Sequence, residues 1–164
     1  MSTILALSIS CTTTNPPADT SSTSPGLTVS TLTTTTNGQY APSNIVAIWV
    51  ENSSGVFVKS LLVNASQRKS HLTKWISSSK GNITDAKTGA TRNNHGIVTA
   101  VWNGTDTSGK VVANGAYKVC MELTESASTG SYSSFPFTKG TAAETQTPAK
   151  ATGFASIGIK WLPL

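Results

Sequence analysis

AYKVCMELT, residues Ala116 to Thr124, sets Tyr117, Val119, Met121 and Leu123 at alternate positions, with Ala116, Lys118, Cys120 and Glu122 between them. Successive side chains of a strand point to opposite faces, so this two-residue period predicts a half-buried β-strand whose larger apolar set faces a core. The same pattern of short apolar segments recurs on both sides of it. Upstream lie Leu27 to Thr34, Ile45 to Glu51, Val56 to Val63 and Val98 to Trp102; downstream lie Ser133 to Thr138 and Ser156 to Leu162. Gly, Asn, Ser and Pro punctuate the intervals, and Asn52 to Gly55 reads as a hairpin turn. Seven such segments predict an all-β fold, an antiparallel β-sandwich with Trp49, Trp102, Tyr117, Val119, Met121 and Ile159 in its core.

Composition points the same way. A chain of 164 residues is close to one domain length, and 37% hydrophobic residues suffice for one core. Charged residues make up only 12%, whereas Ser and Thr together reach roughly 30%, an excess that favours strands over exposed helices. Coiled coils, helical bundles and helical repeats are excluded on this ground. No run of 18 apolar residues predicts a spanning helix. The net charge of +5 would suit a nucleic-acid partner only if the bases clustered. The densest group, Arg68, Lys69, Lys74 and Lys80, lacks interleaved aromatics, so nucleic acid is not expected.

One interval breaks the strand rhythm. Asn64 to Gly96 carries few strand signals and reads as a long irregular loop with a short helix at Arg68 to Trp75. Long connections inside compact domains are uncommon and tend to be functional. Leu72 and Trp75 are the residues able to pin this loop to the core, and function is sought here.

At the other end of the chain, Ile4 to Ser10 and Cys11 resemble the end of a bacterial lipoprotein signal, in which the Cys is lipidated. The Thr, Ser and Pro residues that follow suit a tether. The expected organisation is therefore signal and tether over 1–25 and a sandwich domain over 26–164, anchored to a membrane only through Cys11. Cys120 alone would then remain in the domain, and His71 and His95 show no ligand spacing to it, so no metal site is expected.

The stretch Trp102, Asn103, Gly104, Thr105, Asp106, Thr107, Ser108, Gly109, followed by Gly115, Ala116, Tyr117, resembles the hairpin of many bacterial immunoglobulin-like domains. That resemblance implies an immunoglobulin-like sandwich; turn chemistry at Asn103-Gly104, Gly109 and Asn114-Gly115 accounts for the motif structurally. Over Leu27 to Leu162, the segments AIWVENSSGVFVKSL, RKSHLTKW, DAKTGATRNNHG, FPFTKGTAAETQTPA and IGIKW are similar to a bacterial family of predicted periplasmic proteins of unknown function. The likeness implies an exported all-β protein and is silent on activity.

The short motif Asp85, Ala86, Lys87, Thr88, Gly89, Ala90, Thr91 resembles the D-x-x-[ST]-G-A-[ST] signal at which a transferase attaches FMN to exported redox proteins. It implies Thr91 as the acceptor, with Asp85, Thr88, Gly89 and Ala90 as recognition residues. Arg92, Lys87 and His95 are the nearby groups able to pair with a phosphodiester or a reduced flavin, Arg92 best because its fork suits phosphate. The expectation is a periplasmic or lipid-anchored carrier of covalent FMN in electron transfer, with an FMN transferase and a redox protein as partners and no catalytic residue of its own. Two alternatives stand beside it. One is a structural or adhesive surface module or filament subunit, assembled by strand addition along Leu27 to Thr34. The other is a carbohydrate or ligand-binding module using an exposed Trp75 or Trp49. No hydrolase or transferase motif is present, although Glu51, Asp85, Asp106, Glu122, Glu125 and Glu144 supply carboxylates that could pair in space.

Overall fold

The computed structural model describes residues 24–164; the lipidation expected at Cys11 lies outside them. Nine strands follow in chain order: β1 (Gly26–Thr33), β2 (Ile45–Asn52), β3 (Phe57–Asn64), β4 (Lys87–Gly89), β5 (Ile97–Trp102), β6 (Gly115–Thr124), β7 (Ser131–Lys139), β8 (Glu144–Gln146) and β9 (Phe154–Leu162). A 3-10 turn at Lys69–His71 and one helix, α1 (Thr73–Ser79), lie between β3 and β4. The strands form two sheets, a four-stranded one in the order β5-β1-β9-β8 and a five-stranded one in the order β4-β3-β2-β6-β7. All seven expected strands are present, and the fold is an all-β sandwich.

The inner faces of the two sheets bury Leu27, Val29, Val46, Ile48, Val119, Met121, Ile157 and Ile159 against one another. At one end of this core Trp102 meets Tyr117, Phe137 and Trp161, with ring centroids 5.5, 6.1 and 6.2 Å away. Each polar handle of this aromatic group has an acceptor. Trp102 Nε1 donates to Thr105 O at 2.7 Å, Tyr117 Oη to Ala113 O at 2.7 Å and Trp161 Nε1 to Gly140 O at 2.9 Å, so the rings are buried at little polar cost. The turn after Trp102 forms as its residues dictate. Gly104 and Gly109 take φ of 75° and 84°, and Asp106 accepts from the Ser108 hydroxyl at 2.6 Å and the Lys110 amide at 3.0 Å. The Ser108 hydroxyl above all, with the two backbone N–H groups, holds the Asp106 carboxyl below its usual range.

β6 departs from the half-buried expectation, because Cys120 and Glu122 on its second face are as fully buried as Val119 and Met121. The long interval causes this. Its helix lies on the outer face of the five-stranded sheet, where Leu72 and Trp75 join Ile45, Ala47, Trp49, Val63, Ala65 and Cys120 in a second apolar cluster. Polar groups fix it there. Glu122 accepts from the Trp75 and Lys74 amides at 2.9 and 3.2 Å, taking the free N–H groups of the helix start. Trp75 Nε1 donates to Ser60 Oγ at 2.8 Å, and Glu51 accepts from Trp49 Nε1 at 2.8 Å and Ser78 Oγ at 2.6 Å. Burial pushes the Glu122 carboxyl above its usual range despite these donors, and it pushes the Cys120 thiol up to about 12. Cys120 is free and structural, with the Tyr132 hydroxyl 3.5 Å from its sulfur.

The expected helix over Arg68 to Trp75 is corrected in its placement. Arg68 adopts φ 59° and Leu72 a non-helical φ, ψ of −79°, 66°, so the chain makes a 3-10 turn, breaks at Leu72 and starts α1 at Thr73. The break lets Leu72 and Trp75 both enter the outer cluster. Two strands were not expected: β8, and β4, which pairs with β3 in parallel and is the one parallel pair among the described strands.

Candidate functional site

The segment Asp85 to Thr91 forms an edge of the sandwich. β4 binds β3 in the register Leu62↔Lys87, Val63↔Thr88, Asn64↔Gly89, and all three of its residues are exposed. The geometry explains Gly89 locally. A Cβ there would stand 2.5 Å from Asn64 Oδ1, so only glycine lets the two strands approach this closely without displacing Asn64. Asp85, with φ 58°, begins the approach, and its carboxylate lies 3.4 Å from the ammonium of Lys59. Lys59 is itself buried and donates to Thr105 Oγ1 at 2.7 Å and Asp106 O at 3.0 Å.

Thr91 is half-buried just past the end of β4. Its N–H donates to Ser66 Oγ at 3.2 Å, and its hydroxyl accepts from the Gln67 amide at 3.1 Å while donating to Gln67 O at 3.3 Å. These partners belong to the surface segment after β3 and not to the interior of the sandwich. Arg92 forms an antiparallel bridge with Asn44, with both backbone bonds at 2.9 Å. Arg68 follows Gln67 directly, and its guanidinium stacks 4.3 Å over the Tyr40 ring. Arg68 Nη1 and Arg92 Nε are buried without an acceptor, and Asn44 Oδ1 is buried without a donor. Unsatisfied buried guanidinium N–H groups are costly, and Arg68 and Arg92 directly follow Gln67 and Thr91 in the chain.

His95 is held between Glu125 and Asn44. Its Nε2 is 2.6 Å from Glu125 Oε1, and its Nδ1 is 3.5 Å from Asn44 Nδ2. Glu125, at the end of β6, is fully buried and also accepts from the Thr36 amide at 2.6 Å, the Thr36 hydroxyl at 2.9 Å, the Thr35 hydroxyl at 3.0 Å and the Gly38 amide at 3.2 Å. Burial would raise the Glu125 carboxyl, but the Thr36, His95 and Gly38 donors outweigh it and hold the carboxyl down to about 2. Together they tie the β1–β2 loop and the segment before β5 to β6. Sequence reading missed Arg68, Ser66 and Gln67, whose roles depend on a parallel pairing that leaves no periodic signal.

Other expected features are corrected. Trp49 and Trp75 are 1% and 0% exposed, so neither presents a ring to a carbohydrate. β1 runs between β5 and β9 and is hydrogen-bonded on both sides, so Leu27 to Thr34 offers no free edge for strand addition. Glu51, Glu122 and Glu125 are occupied as described, and Glu144 accepts from the Thr138 amide at 2.7 Å and from Gln146.

Two hollows touch the Asp85 to Thr91 segment. One, of about 390 Å³, is lined by Lys59, Leu61, Asp85, Val101, Trp102 and Thr105 among others. The other, of about 280 Å³, is lined by Val63, Ala65, Ser66, Lys69, Ile83, Thr88 and Gly89. Among the described residues no cluster of three or more His, Cys, Asp or Glu could hold a metal, and no helix is long and apolar enough to cross a membrane.

These features define a class: an all-β sandwich with a packed double core and an exposed motif on one sheet edge. More particularly, the sequence model of the family described as predicted periplasmic protein (DUF2271) matches residues 26–157, and the chain belongs to that family. No curated protein and no solved structure matches it.

Proposed function

We propose that this periplasmic-family sandwich is a carrier of FMN covalently attached at Thr91, serving electron transfer between other proteins outside the cytoplasm. The observation that carries the reading is the position of DAKTGAT: its motif residues from Lys87 to Ala90 are exposed, and the Thr91 hydroxyl is engaged by surface backbone alone. In the step itself, Thr91 Oγ1 bonds to the flavin-side phosphorus of FAD. The pyrophosphate P–O bond breaks, AMP leaves, and the hydroxyl proton passes to a base of the transferase.

The residues present fit the product. Arg68 and Arg92 directly follow Gln67 and Thr91 in the chain, and their positive charge suits a phosphodiester anion on Thr91. Asp85, Thr88, Gly89 and Ala90 are open to an approaching transferase. When bound, FMN supplies one- and two-electron chemistry; the chain holds it, sets nearby charge and keeps it at the surface. A lipid anchor at Cys11 would keep such a carrier at a membrane. An immunoglobulin-like lineage belongs to the same proposal and is supported by the Tyr117 hydroxyl bonding back to Ala113 O, four residues upstream.

Coexpression with an FMN transferase is expected to add one FMN mass to the Thr91 peptide and visible absorbance, and Thr91→Ala to abolish both. An unmodified peptide with a transferase that loads a control substrate overturns the reading. A second reading, a structural module that assembles by strand addition, is favoured by β5. This edge strand carries no charge and leaves Ile97 and Val101 61% and 67% exposed.

A further inference from the structure

We infer that the isoalloxazine of a flavin held at Thr91 docks in the hollow between β3, β4 and the 3-10 turn, over Val63 and Ala65, with Ile83 and Lys69 beside it. The inference rests on the proposed attachment and adds where the ring goes. The backbone of Thr91 is bonded to the wall of this hollow. Ser66, which lines the hollow, accepts the Thr91 N–H at 3.2 Å, and Thr88 and Gly89, three and two residues before Thr91, line it as well. A phosphate on Thr91 Oγ1, with the ribityl chain beyond it, therefore starts beside this hollow.

The chemistry of the lining suits one end of a flavin and then the other. Val63 and Ala65 are buried side chains whose surfaces form an apolar floor, and Ile83 is 44% exposed although it is a large aliphatic residue. A dimethylbenzene ring set against Ile83 removes apolar surface from water on both partners. Lys69 is exposed, and among the described residues no carboxylate pairs with it. Its ammonium is thus available to the pyrimidine edge, where negative charge gathers on two-electron reduction. The competing hollow has its cation already bound, since Lys59 is held by Thr105, Asp106 O and Asp85.

The test uses full-length chain coexpressed with the transferase, first weighed to establish the adduct. Flavin fluorescence anisotropy, induced visible circular dichroism and midpoint potential are then measured for the parent chain, Ile83→Glu, Lys69→Gln and the control Val111→Glu, an exposed aliphatic residue elsewhere. All four should carry the same FMN mass. The parent and the control should show high anisotropy and an induced flavin band; Ile83→Glu should lose both. Lys69→Gln should bind reduced flavin about threefold less well relative to oxidised, a fall of about 14 mV for a two-electron couple. A fully loaded parent whose flavin tumbles freely, or an Ile83→Glu variant indistinguishable from it, overturns docking while leaving attachment standing. Absence of the adduct overturns attachment, and docking with it.

Discussion

Glu125 sits at the balance point between burial, which disfavours a carboxylate, and the hydrogen bonds that favour one. Its partners reach it from Thr35, Thr36, Gly38 and His95, and its carboxyl is held down to about 2. An unfolded Glu titrates near 4.3, so the folded state prefers the ionised form. That preference stabilises the fold fully above the unfolded value and is lost as pH falls from about 5 towards 2. A depression of this size is worth on the order of 3 kcal/mol at neutral pH. Glu125→Gln should therefore lower stability by about that much at pH 7, and the difference from the parent chain should shrink steadily in urea titrations run down to pH 2. A difference that stays constant with pH would show that the variant acts through packing alone. This clamp was not legible in the sequence: Thr36 and Glu125 are 89 residues apart, and nothing in a Thr-rich run distinguishes the threonine that donates. The segment that ends at Thr91 stood out in the sequence because its seven residues are contiguous.

β4 and α1 show what a single element asks of its residues. In β4, Gly89 answers to Asn64, whose Oδ1 would meet an added Cβ at 2.5 Å. Gly89→Ala should cost about 1–3 kcal/mol through overpacking, and Asn64→Ala in the same chain should return most of it, as read by thermal melts. If Gly89 also serves transferase recognition, flavin loading should stay impaired in the double variant although stability is restored; full loading would assign Gly89 to packing only. In α1, Trp75 is fully buried and bonded through Nε1 to Ser60. Trp75→Ala should cost about 3–5 kcal/mol in denaturant and raise binding of an apolar dye, since the outer face of the five-stranded sheet loses its cover. A loss below about 1 kcal/mol would mean that the helix is dispensable. Sequence reading named Leu72 and Trp75 as the pins because large apolar residues in a polar stretch must go somewhere dry. It misplaced the helix because the break at Leu72 serves tertiary packing, which propensity does not encode.

At the scale of the whole molecule, seven strands were legible from alternation and turn residues, while β4 and β8 were not, since KTG and ETQ are three-residue polar runs recruited by their neighbours. Sheet order was equally hidden, and it decides which edges are free. The sandwich has four edges: β4, β5, β7 and β8. β4 and β8 span only three residues each, and β7 carries Pro136 and Lys139, both of which discourage pairing. β5 is six residues long with neither proline nor charge, and Ile97 and Val101 point their side chains to solvent. An edge of this kind pairs most simply with its own copy, antiparallel across a two-fold axis, joining two four-stranded sheets into one. Sedimentation of the parent chain should therefore show reversible dimerisation as concentration rises. Val101→Lys and Ile97→Lys should weaken it, because each dimer would bring like charges together at the seam, and higher salt should restore part of the loss. Both residues are exposed in the single chain, so melting of the monomer should change by no more than about 0.5 kcal/mol. Flavin loading supplies the cross-check between the two functional readings, read in Ile97→Lys because Val101 lines the same hollow as Asp85: a carrier should load FMN equally well in that variant, whereas a module that works only by assembly should lose its function in it.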